Sequence, residues 1–177
     1  MARVRKFWSA LFYAAAILAP ATGQAAVTAR EIQVAGRILA LTANPPSGDV
    51  TVGIVYNPEN AASVQDERDL LSILGSGLSV GDVNLIPFPV AISNISTLRT
   101  DIMFLTQGLG AGAEKAGDQA SRQKILCITT DLTATQAGYC SVCLQLDTKV
   151  HITINQATLA ASDVSFTEAF MLMVNEI

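Results

Sequence analysis

Apolar residues recur along this chain in two alternating patterns, one of short β-branched runs and one with helical spacing. Short apolar runs bounded by Gly, Pro, Asn or Asp are typical of buried strands. Such runs predict four strands, over residues 50–56, 83–88, 101–106 and 125–129. Pro87 and Pro89 lack the N–H that a sheet ladder uses, so we expect them to end the second strand.

Segments with helical spacing precede and separate these strands. The first follows a capping box at residues 28–31 and is expected to end at residues 44–46, because proline disfavours helical geometry in the residue before it. The second is expected to begin at Asn57-Pro58 and to end at Gly75. Its predicted buried positions are Val64, Leu70, Leu71 and Leu74. A third, alanine-rich helix is expected to end near Arg122.

The C-terminal third of the chain has a different pattern. Residues 139–146 and 150–155 are strand-like and only three residues apart, which predicts a β-hairpin. A second capping box at residues 165–168 and apolar residues at helical spacing predict a terminal amphipathic helix with Phe166, Ala169, Phe170 and Met173 on one face. Strands that alternate with helices indicate one α/β domain, a layered Rossmann-like fold with a mixed, mostly parallel sheet and a C-terminal β-hairpin plus helix.

The N-terminal segment has the pattern of a signal peptide. Arg3, Arg5 and Lys6 precede an apolar run over residues 7–18, and the small residues near Ala25 suit signal peptidase. The run is about 12 residues long, shorter than the roughly 20 that span a bilayer. We therefore expect residues 1–25 to be removed on export and residues 26–177 to work in the periplasm. Retention of the segment as a membrane anchor is the alternative.

Charge restricts the classes of partner. The chain after residue 25 holds all 15 acidic residues and 8 of the 11 basic ones, so its formal net charge is −7. A chain this acidic lacks the positive surface that binds DNA or RNA, so we expect no nucleic-acid partner. The densest group of charges, Asp66-Glu67-Arg68-Asp69, is interpreted as the solvated face of a helix.

Three cysteines, Cys127, Cys140 and Cys143, are disulfide candidates in an exported chain. A redox CxxC pair places its first sulfur at a helix N-terminus. Cys140 and Cys143 lie instead in a strand-like run, where residues three apart point to opposite faces. We therefore favour a structural disulfide from Cys127 and a buried free thiol over redox catalysis. Three pairings are possible, and the sequence does not choose among them.

A glycine-rich motif at residues 108–113 follows a strand, precedes a helix and matches the GxGxxA pattern of dinucleotide sites, with Asp131 at the end of the next strand. Because the motif lies on about the third strand and an exported domain meets little dinucleotide, we interpret it as a strand-to-helix turn. His151, the only histidine, is expected to face solvent, and no metal-ligand or serine-triad spacing accompanies it. We expect no catalytic residue, no metal and no cofactor.

Several segments of the second half occur in a distinctive order: residues 124–131, Gly138 before the next strand, then residues 150–155, an alanine-rich stretch and an apolar end. In this order and spacing the chain resembles the YfiR-like family of bacterial periplasmic proteins. The resemblance implies a non-enzymatic regulator that binds the periplasmic domain of an inner-membrane sensor or diguanylate cyclase and so modulates cyclic-di-GMP signalling. It also implies cysteines that respond to the redox state of the periplasm. A homodimer is a further expectation.

In the first half, residues 52–59 followed by Ser63 resemble the opening of a lobe in the periplasmic substrate-binding proteins of ABC transporters. Those proteins close two lobes around a ligand, and residues 26–177 are long enough to form only one lobe. Since α/β sheets bind ligands at the carboxyl ends of their strands, the alternative function is a one-lobe binder of a small solute. Its cleft is expected to include Tyr56, Asn57, Gln107, Gly108 and Gly110. A dinucleotide- or thiol-dependent enzyme is a third interpretation.

Overall fold

Helices and strands alternate along most of the chain in the computed structural model, which describes residues 27–146 and 148–177. The predicted signal peptide lies outside the described residues. The strands are β1 (Gly48–Tyr56), β2 (Leu78–Val80), β3 (Val83–Ala91), β4 (Ile102–Leu105), β5 (Leu126–Thr129), β6 (Val142–Leu146), β7 (Val150–Ile154) and β8 (Asn175–Glu176). The helices are α1 (Ala29–Leu39), α2 (Ala61–Leu74), α3 (Gly112–Gln123), α4 (Leu132–Gln136), α5 (Gln156–Ala161) and α6 (Glu168–Met171), with a 3₁₀ helix over Ile92–Thr97. Among the described helices, none has the length and apolar character needed to cross a membrane.

The eight strands form one mixed sheet in the order β2-β3-β1-β4-β5-β6-β7-β8. Strands β3, β1, β4, β5 and β6 are parallel, whereas β2 and β7 pair antiparallel with β3 and β6. The predicted fold class, with its mostly parallel sheet and β6–β7 hairpin, is confirmed. Among the five parallel strands, β1 lies between β3 and β4, so the chain winds first to one side of β1 and then to the other.

Neighbouring residues of the central strands contribute to two separate cores. In β4, Ile102 and Phe104 pack on the side of the sheet that carries α1 and α2, whereas Met103 and Leu105 pack on the side that carries α3. All four side chains are buried, as expected for a parallel strand that lies between two helical layers. The helices therefore cover both faces of the sheet.

Helix α1 has the predicted start and an earlier end. The Thr28 N–H donates to the Glu31 carboxylate at 2.7 Å, and the Glu31 N–H donates to the Thr28 hydroxyl, which together form the capping box. The helix ends at Leu39 rather than near Asn44, because the next segment pairs with residues 165–167. The Ala43 N–H donates to the Ser165 carbonyl, and the Thr167 N–H donates to the Leu41 carbonyl.

Strand β3 continues through Pro87 and Pro89 to Ala91, so the prediction that the prolines end it is wrong. Strand β1 pairs with β3 along its whole length, but β2 pairs only with Val83–Leu85. Beyond Leu85, the outer side of β3 therefore has no ladder partner among the described residues. Proline is tolerated in a strand at such an edge, because no neighbour requires its missing N–H.

Helix α2 begins at Ala61, three residues after the predicted start. Asn60 is its N-cap, and the Asn60 side-chain oxygen accepts hydrogen bonds from the Ala62 and Ser63 N–H groups. The Asn57 side chain accepts instead from the Glu59 N–H at 3.0 Å. The asparagine before Pro58 therefore forms a turn that precedes the helix, because its side-chain oxygen bonds within that turn.

The predicted terminal helix is reduced to the four residues of α6. Phe166 and Phe170 are buried against each other, with ring centroids 4.9 Å apart, but Met173 is 73% exposed. The chain leaves the helix because its last residues add strand β8 to β7, and the Ile177 N–H donates to the Ile154 carbonyl. The predicted capping box at residues 165–168 is also wrong, since no side chain caps α6.

Candidate functional site

The carboxyl ends of β1 and β4 lie side by side at the point where the winding of the chain reverses. In an open α/β sheet, the loops that leave two such strands diverge and form a crevice in which ligands bind. Tyr56 and Asn57 lie at the end of β1, and the loop after β4 contains Gln107, Gly108 and Gly110. The structure thus places the five predicted cleft residues at one edge of the sheet.

A chain of buried hydroxyl groups joins the two loops. The Ser63 hydroxyl oxygen accepts from the Asn57 N–H at 2.8 Å and lies 2.6 Å from the Thr106 hydroxyl oxygen. Thr106 donates its own hydrogen to the Val55 carbonyl at 3.0 Å, so the hydrogen between the two hydroxyls belongs to Ser63. The sequence pattern did not predict this network, although a threonine directly after an apolar strand is a signal for it.

Asp66 provides a second link between α2 and the loop after β4. Its carboxylate accepts from the Gln107 N–H at 3.0 Å, and it is only 7% exposed. Burial raises the pKa of Asp66, the hydrogen bond from Gln107 opposes the rise, and the nearby Asp69 and Glu31 carboxylates add to it. The interpretation of Asp66 as part of a solvated face is therefore wrong. The second link positions Gln107, whose side chain donates to the Thr130 hydroxyl at 3.3 Å.

Glycine is required where the loop after β4 meets α2. Gly108 has φ +71°, and a Cβ at this position would lie 2.8 Å from the Asn60 side chain. Gly110 also has positive φ, but a Cβ there would meet open space. Helix α3 then begins at Gly112 with no side-chain cap on its N-terminus. The glycine motif thus forms the predicted strand-to-helix turn.

A cavity of about 200 Å³ lies between the loops that follow β4 and β5, one strand along from the reversal point. We call it the carboxyl-edge cavity. It is lined by Leu105, Thr106, Gly108, Leu109, Gly110, Ala113, Asp131, Thr133, Ala134, Ala137 and Tyr139. Of the predicted cleft residues, Gly108 and Gly110 line it, whereas Tyr56, Asn57 and Gln107 do not.

Asp131 is the one charged residue that lines the carboxyl-edge cavity. Its carboxylate caps α4 by accepting from the Thr133 N–H at 2.9 Å and the Ala134 N–H at 3.4 Å. The sequence pattern did not predict this short helix. Both bonds use Oδ1, and within the described chain no hydrogen bond is made to Oδ2. The cap therefore holds Asp131 at the cavity wall with one oxygen available.

The three cysteines lie in or next to strands β5 and β6. A disulfide joins Cys127 of β5 to Cys140, and Cys143 of β6 is a buried free thiol. Burial raises the pKa of Cys143 to about 12, and the charge of Asp131 adds to the rise. Cys140 and Cys143 therefore do not form a redox pair. His151 is exposed on β7, as predicted.

No protein-family model and no curated protein matches this sequence. The resemblance to the YfiR-like family thus gains no support from sequence comparison. The expectations of an inner-membrane signalling partner and of a homodimer stay predictions.

Solved structures provide the informative comparison. A substrate-binding protein with adhesive properties from Clostridium difficile, in its ligand-free open form, has a TM-score of 0.61 and 10% identity, over 84% of this chain and 58% of that one. A conserved domain protein from Vibrio cholerae has a TM-score of 0.59 and 12% identity, over 84% of this chain and 59% of that one. The fold is of the substrate-binding-protein type.

A third structure, the ABC domain in complex with L-Trp from Streptococcus pneumoniae, has a TM-score of 0.54 and 9% identity, over 80% of this chain and 61% of that one. The chain thus spans about three fifths of the length of the structures that it matches. At these identities the comparison establishes the fold. The predicted resemblance to substrate-binding proteins is supported at that level.

Proposed function

We propose that this protein is an exported, non-enzymatic binding protein that holds a small solute at the carboxyl edge of its sheet. The observation that carries the proposal is the carboxyl-edge cavity, which lies beside the reversal point between β1 and β4. The fold shared with substrate-binding proteins supports it. The Cys127–Cys140 disulfide supports export, because such bonds persist in oxidising compartments.

The lining of the cavity indicates the class of solute. Its walls are mostly apolar, which suits a hydrocarbon group, and Asp131 places a carboxylate oxygen at one side. The volume of about 200 Å³ is below the several hundred usual for drug-sized ligands. We therefore infer a compact solute with an apolar body and one ammonium group.

A thermal-shift panel of small amines and matched alcohols tests the proposal, because a ligand that binds only the folded state raises its apparent stability. We expect at least one amine to stabilise the wild type. Ala137→Phe places a ring at an exposed position of the cavity lining and is expected to abolish the response. Ala157→Phe is the matched control, since Ala157 is exposed on α5 outside this lining.

Asp131→Asn separates recognition by charge from binding by shape. Asparagine is also a good N-cap, so α4 is expected to stay folded while the negative charge is lost. The variant should bind the amine no better than the matched alcohol. The proposal fails if no amine stabilises the wild type, or if the amine that does so stabilises Ala137→Phe as much as the wild type.

A further inference from the structure

A second cavity, of about 410 Å³, lies at the opposite edge of the sheet, where β4 and β5 begin. We call it the amino-edge cavity. Its floor is apolar and includes the buried side chains of Leu39, Ile102, Ile125 and Leu126. It shares no lining residue with the carboxyl-edge cavity. An apolar floor of this kind accommodates a hydrocarbon group.

The rim of the amino-edge cavity carries an ion pair. The Lys124 ammonium donates to the Asp163 carboxylate at 2.8 Å, and the side chains are 67% and 70% exposed. The hydrogen bond and the opposite charge raise the pKa of Lys124 and lower that of Asp163, so both groups are charged at neutral pH. An exposed pair of this kind contributes little to stability and is opened easily.

The backbone at the two charged residues is unusual. Lys124 has φ 56° and Asp163 has φ 53°, and these are the two non-glycine residues with positive φ in the described part of the chain. Each of the two residues follows a helix, and the N–H of the residue after it bonds back to the last turn of that helix. The Ile125 N–H donates to the Ala120 carbonyl, and the Val164 N–H donates to the Leu159 carbonyl.

Glycine is the usual residue at this position of a helix end, because it takes the left-handed conformation without a steric cost. Lys124 bears that cost in full and Asp163 in part, and an exposed ion pair offsets little of it. At each of these two helix ends, a charged residue and the apolar residue after it line the same cavity. Backbone cost without a gain in stability is typical of residues placed for recognition.

We propose that the amino-edge cavity binds a zwitterion with an aliphatic side chain, of the α-amino-acid type. The ligand carboxylate replaces Asp163 beside Lys124, and the ligand ammonium replaces Lys124 beside Asp163. A molecule with both charges gives each of the two protein groups a new partner. A molecule with one charge separates the pair but gives a new partner to only one of the two groups. The aliphatic side chain packs on the apolar floor.

A further carboxylate on the rim favours the ammonium group of the ligand. Asp101 uses one oxygen to accept from the Thr51 N–H at 2.7 Å and from the Thr51 hydroxyl at 2.6 Å. These two bonds fix Asp101 in the cavity lining. Asp101 and Asp163 thus place two negative charges on the rim, against the single positive charge of Lys124.

Calorimetric titration of residues 26–177 with L-leucine tests the proposal. We expect L-leucine to bind about tenfold or more tightly than 3-methylbutylamine or 4-methylpentanoate, which carry one charge each. Lys124→Gln and Asp163→Asn should each weaken L-leucine binding by a similar factor. Asparagine at 163 tolerates positive φ, so the helix end is retained. Lys115→Gln and Asp118→Asn, at exposed positions of α3, are the controls.

Backbone amide shifts locate the site. L-leucine should move the resonances of Ile125 and Val164, and Ala137→Phe should leave its affinity unchanged. The proposal is overturned if L-leucine does not bind, if either single-charge compound binds as tightly, or if both charge variants bind like the wild type. Loss of L-leucine binding in Ala137→Phe alone would assign it to the carboxyl-edge cavity and would also overturn the proposal.

Discussion

The carboxylate of Asp66 on α2 accepts a hydrogen bond of 3.0 Å from the backbone N–H of Gln107, the second residue after β4. The bond fastens a helix that follows β1 to the loop that follows β4, directly across the point where the winding reverses. Both residues are 7% exposed, so water does not replace the bond readily when it is removed. The geometry of the candidate cleft therefore depends on one buried carboxylate.

Asp66→Ala should lower the free energy of unfolding by about 1–3 kcal/mol, because it leaves the Gln107 N–H buried without an acceptor. Urea unfolding at pH 7 measures the change. Asp118→Ala removes an exposed carboxylate from α3, and it should alter stability by less than about 0.5 kcal/mol. Equal effects of the two substitutions would contradict the role assigned to Asp66.

The pH dependence of stability tests the charge at the same position. Because the pKa of Asp66 is raised in the folded state, the folded protein holds this proton more tightly than the unfolded chain does. The carboxyl group therefore favours folding most below its unfolded pKa, and this contribution is lost as pH rises through the folded pKa. Asp66→Asn retains an acceptor for Gln107 without the charge.

We expect Asp66→Asn to be more stable than the wild type at pH 7, and the difference to shrink as pH falls through the carboxyl range. Paired urea titrations at several pH values give this difference directly. A gap that is constant with pH, or that widens towards acid, would exclude a raised pKa.

Two glycine substitutions separate backbone strain from a steric clash. Gly108→Ala and Gly110→Ala both place a Cβ at positive φ, but only the first places it against the Asn60 side chain that caps α2. Each should lose about 1 kcal/mol from the backbone. Gly108→Ala should lose about 1 kcal/mol more, since it disturbs the N-cap. Thermal unfolding of the two variants checks the difference, and equal losses would argue against the contact.

Removal of the disulfide by Cys127→Ala with Cys140→Ala should lower the free energy of unfolding by about 3 kcal/mol, as expected for a crosslink that closes a short loop. The two cysteines are 13 residues apart in sequence. Reduction of the wild type should produce a similar loss, and a reductant should not affect the double variant. Mass spectrometry of the exported wild type should detect one free thiol, and three would refute the pairing.

Cys143 provides a separate alkaline test. Its pKa is raised to about 12 in the folded protein from an ordinary value near 9. Its contribution to stability should therefore be complete below pH 9 and lost as pH rises from 9 towards 12. Cys143→Ala should show a smaller decline than the wild type over this range. At pH 8, iodoacetamide should modify Cys143 in urea and leave it unmodified in buffer.

Strong local patterns predicted most of the sheet. The run over residues 50–56 becomes β1 almost residue for residue, because a buried parallel strand requires apolar side chains on both faces. The glycine motif was also interpreted correctly as a turn before α3. In both cases, the local signal and the tertiary environment favour the same structure.

Two of the errors occur where a distant segment competes for the same backbone groups. Residues 41–43 have helical spacing but pair with residues 165–167, and the last residues join β7 instead of extending α6. Asp66 carries no sequence signal for burial, since its acceptor role depends on an N–H from position 107, far along the chain. The candidate site combines side chains and main-chain groups from several loops, which only the fold brings together.

Strand β3, with its two internal prolines, has a consequence for how this protein behaves at high concentration. A sheet edge with free N–H groups is a template on which strands of other molecules add, which leads to fibrils and aggregates. Pro87 and Pro89 remove two donors from the stretch of β3 that β2 leaves uncovered. Replacement of both prolines by valine would restore a complete donor row on a largely apolar strand. We therefore expect the native prolines to limit aggregation through this edge.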